Sequence, residues 1–124
     1  MAMDTNLQPN ADIWNKAETL DRLGGDEELL EELIQIFASE SPKLLEKLQQ
    51  AILTADAEAV MRGAHSIKGE LSCLGAVAAA AAAQKLETMG STKELTGAQE
   101  TFTCLERELQ SLKLLMVDST ASHK

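Results

Sequence analysis

Tyrosine is absent from this 124-residue chain, tryptophan occurs once and phenylalanine twice. With aromatics at 2%, a core has to be assembled from Leu, Ile, Val, Met and Ala. Those residues suit helix-on-helix packing better than a β sandwich. No run approaches the roughly 18 apolar residues that cross a bilayer; the nearest, residues 76–83, is short and mostly alanine. Membrane insertion is therefore not expected. Basic residues are also scarce, 11 against 20 acidic ones, for a net charge of −9. So acidic a surface repels phosphate backbones and anionic headgroups, which argues against nucleic acid as a partner. The opening MAMDTNLQPN lacks a basic start followed by an apolar run, so no secretory signal is expected and a cytoplasmic setting is. Cys73 and Cys104 share no metal-ligand spacing and read as free thiols. Apart from His65 the only histidine is His123, in the tail, so no metal site is expected. No nucleophile–base set and no glycine-rich phosphate loop stands at a recognisable spacing, so neither an enzyme in its own right nor an intrinsic cofactor is expected.

What the chain does have is helical periodicity. Apolar residues make up 44%, enough for one compact core. Residues 1–11 are polar and read as a linker, the domain as 12–117, and 118–124 as a frayed tail. Asp12 can cap a short helix carrying Ile13, Ala17 and Leu20 at helical spacing, with Trp14 beside them, stopped by Gly24 and Gly25. Asp26 opens a long helix whose stripe is Leu30, Ile34, Phe37, Ser41, Leu44, Leu48 and Ala51. The stripe stays in phase across Pro42, which predicts a kink near residues 39–41 and no reversal of the chain. Asp56 caps a third helix with Val60, Ala64, Ile67, Leu71 and Leu74 inward, and Gly75 marks a break or tight bend. A fourth helix is expected from Ala76 to Met89, ended by Gly90, its alanines permitting close approach of neighbours. After a loop over 91–97, a last helix from Ala98 to Met116 turns Phe102, Leu105, Leu109 and Leu112 inward. The fold class is all-α: an antiparallel up-and-down four-helix bundle with a short additional N-terminal helix. Its stripes can be satisfied within one chain, which favours a monomer.

Beside the core stripe of the third helix runs a second ridge, Arg62, His65, Lys68, Gly69 and Ser72, whose members are three or four residues apart. His65 lies about 100° away from the core face. A neutral imidazole is a good nucleophile toward phosphorus near pH 7. An ammonium one turn away, on Lys68, can offset the charge of a phosphoryl group in the product and in a loose transition state. Gly69 costs roughly 1 kcal/mol relative to Ala in mid-helix, a cost that helix stability cannot explain but the approach of a partner can. Read singly, these residues are a solvated histidine, a surface lysine and a packing glycine, and the bundle could be a non-catalytic acidic adaptor for a signalling partner.

Taken together, Ala64-His65-Ser66-Ile67-Lys68-Gly69 and Leu74-Gly75-Ala76 resemble the AHSxKG…LGA signature of histidine phosphotransfer (Hpt) domains of two-component phosphorelays. The resemblance extends upstream through Leu20-Asp21, residues 25–30, Phe37 and the Pro42, Leu44, Leu45, Leu48 pattern, covering roughly residues 19–90. It implies that His65 accepts a phosphoryl group from a receiver-domain phosphoaspartate and passes it to another response regulator. Lys68 would stabilise that group and Gly69 would leave room for the receiver, with Arg62, Glu70 and Ser72 at the docking surface. Mg²⁺ would belong to the receiver. The family often places a polar group on the next helix against the other ring nitrogen; by spacing this is Glu87, with Gln84 one turn earlier as a weaker candidate. Two positions depart from the common pattern: Glu70, where a small residue is frequent, puts an anion at the docking rim, and Cys73 stands where Asn is common. The phosphoryl-accepting domain of a chemotaxis-type kinase shares this helix chemistry. The polar lead-in before Asp12 reads like an interdomain linker, as in the cytoplasmic C-terminal domain of a hybrid sensor histidine kinase.

Overall fold

The computed structural model describes residues 14–121, with side-chain environments for 14–116. Five helices follow one another: α1 (Lys16–Arg22), α2 (Glu27–Leu53), α3 (Ala57–Leu74), α4 (Val77–Thr92) and α5 (Ala98–Ala121). The last four form an antiparallel up-and-down bundle in which α2 packs on α3, α3 on α4, α4 on α5, and α5 back on α2. The linker expected over 1–11, together with Asp12, Ile13 and His123, lies outside the described residues.

The expected core is the observed one. Leu30, Ile34, Phe37, Ser41, Leu48 and Ala51 of α2 are buried, as is the whole predicted stripe of α3, and as are Phe102, Leu105, Leu109 and Leu112 of α5. Leu44 is half-buried at its edge. Each fully buried leucine contributes about 1.5–3 kcal/mol through area removed from water. Asp26 and Asp56 cap α2 and α3 by accepting from the amides of Leu29 and Ala59. Pro42 sits inside an unbroken α2. Its missing N–H deprives only the carbonyl of Ala38, an exposed residue that water can reach.

Three expectations need correction. On α1 the inward residue is Thr19, not Ala17, which is exposed, and Asn15 caps the helix by accepting from Glu18 N. Thr19 is buried because its hydroxyl, like the Trp14 indole, donates to the carbonyl of Leu74, at 2.7 and 2.8 Å. Two donors thus serve a carbonyl that the end of α3 leaves without a helical partner. The last helix passes Met116 and the start of the supposed tail to reach Ala121, no Gly or Pro after Gly97 being there to stop it.

The third correction bears on the site. Gly90 does not end α4, which runs on to Thr92 and closes at Lys93 with a φ of 61°. Gly90 is buried inside the helix because α3 lies against it: a Cβ there would come within 2.5 Å of Met61 N and 2.6 Å of Ala57 O. Ala79 and Ala83 are buried on α4 as well, small side chains that allow neighbouring helices close to it. At the other end the two helices join through Gly75, which takes a φ of 75°. Here Ala76 N returns to Leu71 O at 2.9 Å.

Since only backbone opposes Gly90, no rotamer change can make room for a larger residue. Gly90→Ala is expected to destabilise the bundle by about 1–3 kcal/mol despite alanine's better helix propensity. Urea unfolding followed by circular dichroism measures this.

Candidate functional site

The tight α3–α4 connection sets which residues face each other. His65 and Glu87 are 22 positions apart, Lys68 and Gln84 are 16, and both pairs are centred on Ala76. Residues equally distant from the bend of an antiparallel helix pair meet, and these do. Glu87 Oε2 lies 3.0 Å from His65 Nδ1, and Glu87 Oε1 lies 2.7 Å from Lys68 Nζ. Lys68 Nζ also donates to Gln84 Oε1 at 2.8 Å, and Gln84 Nε2 donates to Thr88 Oγ1 at 3.1 Å. Both oxygens of one carboxylate are therefore engaged by groups on α3.

That carboxylate is held below the ordinary glutamate range, first by the Lys68 hydrogen bond and then by that of His65, against the opposing effect of burial. Ionised, it can only accept. With a neutral ring, Nδ1 must then carry the proton and donate it, which leaves the lone pair on Nε2. The His65 side chain is 68% exposed, so Nε2 is on the solvent side of the bundle. In the neutral ring the arrangement fixes the tautomer and the direction of Nε2.

The other candidate residues fall into separate surroundings. Gly69 is exposed, and a Cβ built on it would meet nothing within 4 Å, so no packing contact among the described residues requires glycine there. Arg62 is exposed on the same ridge and pairs with Glu58 at 3.2 Å. Ser72 is exposed at the mouth of a crevice of about 480 Å³ that Lys68, Gln84, Arg22, Val77 and Ala80 also line. Gln84, the weaker candidate for holding the ring, holds Lys68 instead. Lys68 itself is tied to α4 and is mostly covered, its side chain 26% exposed. Glu70 turns toward α2 and is half-buried, with Oε1 lacking a hydrogen-bond partner. Burial, and secondarily the charge of Glu40, push its carboxyl up. Thr88 was not foreseen; its place one turn beyond Gln84 was the available signal. Cys73 and Cys104 are exposed free thiols. Among the described residues no three His, Cys, Asp or Glu side chains gather as metal ligands, and no helix is long and apolar enough to cross a membrane.

Comparison with known proteins bears directly on this arrangement. The family model of the Hpt domain matches residues 32–114. The chain belongs to the Hpt domain family. Among solved structures, histidine-containing phosphotransfer protein B from Pseudomonas aeruginosa superposes with a TM-score of 0.83 at 26% identity, over 90% of this chain and 97% of that one. No curated protein matched. The Hpt assignment carries a role in histidine phosphotransfer within phosphorelays, with receiver domains as the class of partner, and it displaces the non-catalytic adaptor. An Hpt domain is a phosphoryl carrier and not a catalyst in the usual sense.

Because the Glu87 carboxyl is lowered in the fold, its contribution to stability is present above the ordinary glutamate range and is lost as pH falls through its folded value. The stability gap between the wild type and Glu87→Gln should therefore be widest near neutrality and close in acid. Glu70, raised in the fold, has the opposite sign: stability is lost as pH rises from its unfolded to its folded value, so Glu70→Gln should be at least as stable as the wild type at pH 7. Urea titrations across the acid range check both.

Proposed function

We propose that His65 is the phosphoryl acceptor and that Nε2 is the atom that takes it. The observation that carries this is the 3.0 Å contact between Nδ1 and Glu87, which in the neutral ring leaves the lone pair on Nε2. Attack by the Nε2 lone pair on phosphorus forms the N–P bond while the bond from phosphorus to the receiver's aspartate oxygen breaks, its electrons returning to that carboxylate. No proton has to move. The ring gains positive charge as the new bond forms, and Glu87 already lies against the nitrogen that shares it. The logic is that of a carboxylate holding an imidazole in one tautomer and stabilising its cation. Once Glu87 faces an imidazolium, Lys68 is a cation within one turn of the phosphoryl oxygens. In the unphosphorylated state Gln84 and Glu87 keep that ammonium in place beside the ring.

Gly69 serves the approach of the receiver, which supplies Mg²⁺ and its own catalytic groups. Arg62 and Ser72 lie on the same exposed face as His65 and bound the footprint. The protein acts as a monomer in the cytoplasm, returning the phosphoryl group to a second receiver by the reverse of the same step.

The direct test mixes a phosphorylated receiver domain with the wild type, His65→Gln and Gly69→Ala. Acid-labile, alkali-stable label should appear on the wild type and be absent from His65→Gln, whose circular dichroism and melting stay as in the wild type because the ring is exposed. Stable label on His65→Gln would refute the assignment. Gly69→Ala should gain roughly 1 kcal/mol in unfolding free energy and yet accept phosphate from the receiver more slowly.

A further inference from the structure

Lys68 stands on one side of the acceptor ring. Its Nζ meets the Glu87 oxygen next to the one that faces Nδ1, and Gln84 ties it to α4 again, so the ammonium lies on the Nδ1 side. A phosphoryl group on the outward Nε2 stands on the other. Side chains of an α-helix lean toward its N-terminus and cover the turn before their own Cα. His65 therefore leans over the turn of α3 that carries Arg62, three residues earlier and a neighbour on the helix surface. By the same rule the Arg62 side chain leans back a further turn, where its guanidinium lies 3.2 Å from the carboxylate of Glu58. Both members of that pair are open to water, their side chains 65% and 71% exposed. Exposed pairs at this spacing are weak and readily exchanged. Arg62 also borders an open crevice of about 410 Å³ that Lys47 of α2 and Ser66 help to line, which leaves the guanidinium room to turn toward His65.

We infer that Arg62 is a second phosphoryl-binding residue, and that Glu58 holds its guanidinium in reserve until a phosphoryl group arrives on His65 Nε2. Charge and shape both favour the exchange. A phosphoryl group carries roughly two negative charges at neutral pH against the single one of a carboxylate. Its three oxygens also accept the planar fork of an arginine, which an ammonium such as Lys68 does not offer. No covalent bond changes besides those of the transfer step itself: Arg62 gives up a carboxylate oxygen and donates to phosphoryl oxygens in its place. The charged groups around the phosphorylated ring are then Lys68 and Arg62 of α3, Glu87 of α4, and Lys47 of α2 across the crevice. Lys68 steadies the group from the α4 side and Arg62 from the N-terminal side of the ridge, so that two cations flank it. Arg62 is thereby more than the rim of the receiver's footprint, since it touches the transferred group. This rests on the phosphotransfer reading above.

The test uses phosphoramidate as the donor, so that no receiver is present and docking contributes nothing. The wild type, Arg62→Gln, Arg62→Lys and Glu58→Gln are labelled, and circular dichroism establishes that each is folded. Two readouts are taken: the rate of labelling, and the pH at which the phosphoryl group on the ring takes up a proton, followed by phosphorus-31 NMR. Arg62→Gln should label about threefold or more slowly, and its phosphoryl group should keep a proton to higher pH, because a cation that favours the dianion has gone. Arg62→Lys keeps the charge and should restore most of both. Glu58→Gln releases the guanidinium and should move both readouts in the direction opposite to Arg62→Gln. Wild-type labelling and titration in Arg62→Gln would overturn the inference while leaving His65 and Lys68 in their roles. A Glu58→Gln variant that follows Arg62→Gln would overturn it too, since the pair would then act through the helix and not through the phosphoryl group. Failure of the underlying reading would show differently, as a wild type that takes no acid-labile label at all, and it would remove this inference as well.

Discussion

The close approach of α3 and α4 is the constraint on which the rest of the molecule depends. It is set at one end by Gly75, whose positive φ turns the chain through a tight bend. At the other it is set by Gly90, against which the backbone of Ala57 and Met61 lies directly. Between them the contact face of α4 is mostly alanine. Two antiparallel helices clamped in this way have one register. That register puts a carboxylate of α4 against a ring nitrogen and an ammonium of α3. The site therefore follows from backbone geometry, and its side chains need no loop to position them. Rigid elements of this kind hold a nucleophile more closely than a loop could. The short α1 supports the same end of the pair, Trp14 and Thr19 both donating to the last carbonyl of α3.

Electrostatically the site is balanced before reaction. In an acidic chain, Lys68 and Glu87 offset each other at 2.7 Å. Phosphorylation brings negative charge outside the ring and positive charge within it, and each finds an opposite group already nearby. On the proposed assignment Glu87, an anion and not an amide, would do more than orient the ring: it would stabilise the cation that exists only once the N–P bond has formed. Interactions that strengthen along the reaction path are those that accelerate it. On the α2 side of α3, Glu70 is half-buried, with Oε1 lacking a hydrogen-bond partner among the described residues.

Much of this was legible in the amino-acid sequence. The apolar stripes of α2, α3 and α5 predicted the burial pattern because helical period and a single core leave few alternatives. His65, Lys68 and Gly69 stand out as one ridge, and Glu87 is what the family resemblance implies, by spacing, for the polar group on the next helix. What was missed has physical causes. Glycine both ends helices and admits close neighbours, and at Gly90 only the position of α3 distinguishes the two. The inward turn of Thr19 was hidden because its partner, the carbonyl of Leu74, is backbone and distant in the chain. Lys68 was read as an open cation, whereas Gln84 and Glu87 hold it, since a helical ridge alone does not reveal what the neighbouring helix offers. The family resemblance pointed to His65 as the acceptor and to Glu70 at the docking rim, but not to the burial of Glu70.

The central claim is that Glu87 holds the His65 proton on Nδ1 and so directs Nε2 outward. Nitrogen-15 NMR of the imidazole, before and after labelling with phosphoramidate, tests it most directly. The account predicts that the neutral ring of the wild type is the Nδ1–H tautomer and that phosphorus couples to Nε2 after labelling. An Nε2–H tautomer in the free protein, or a phosphoryl group on Nδ1, would contradict it.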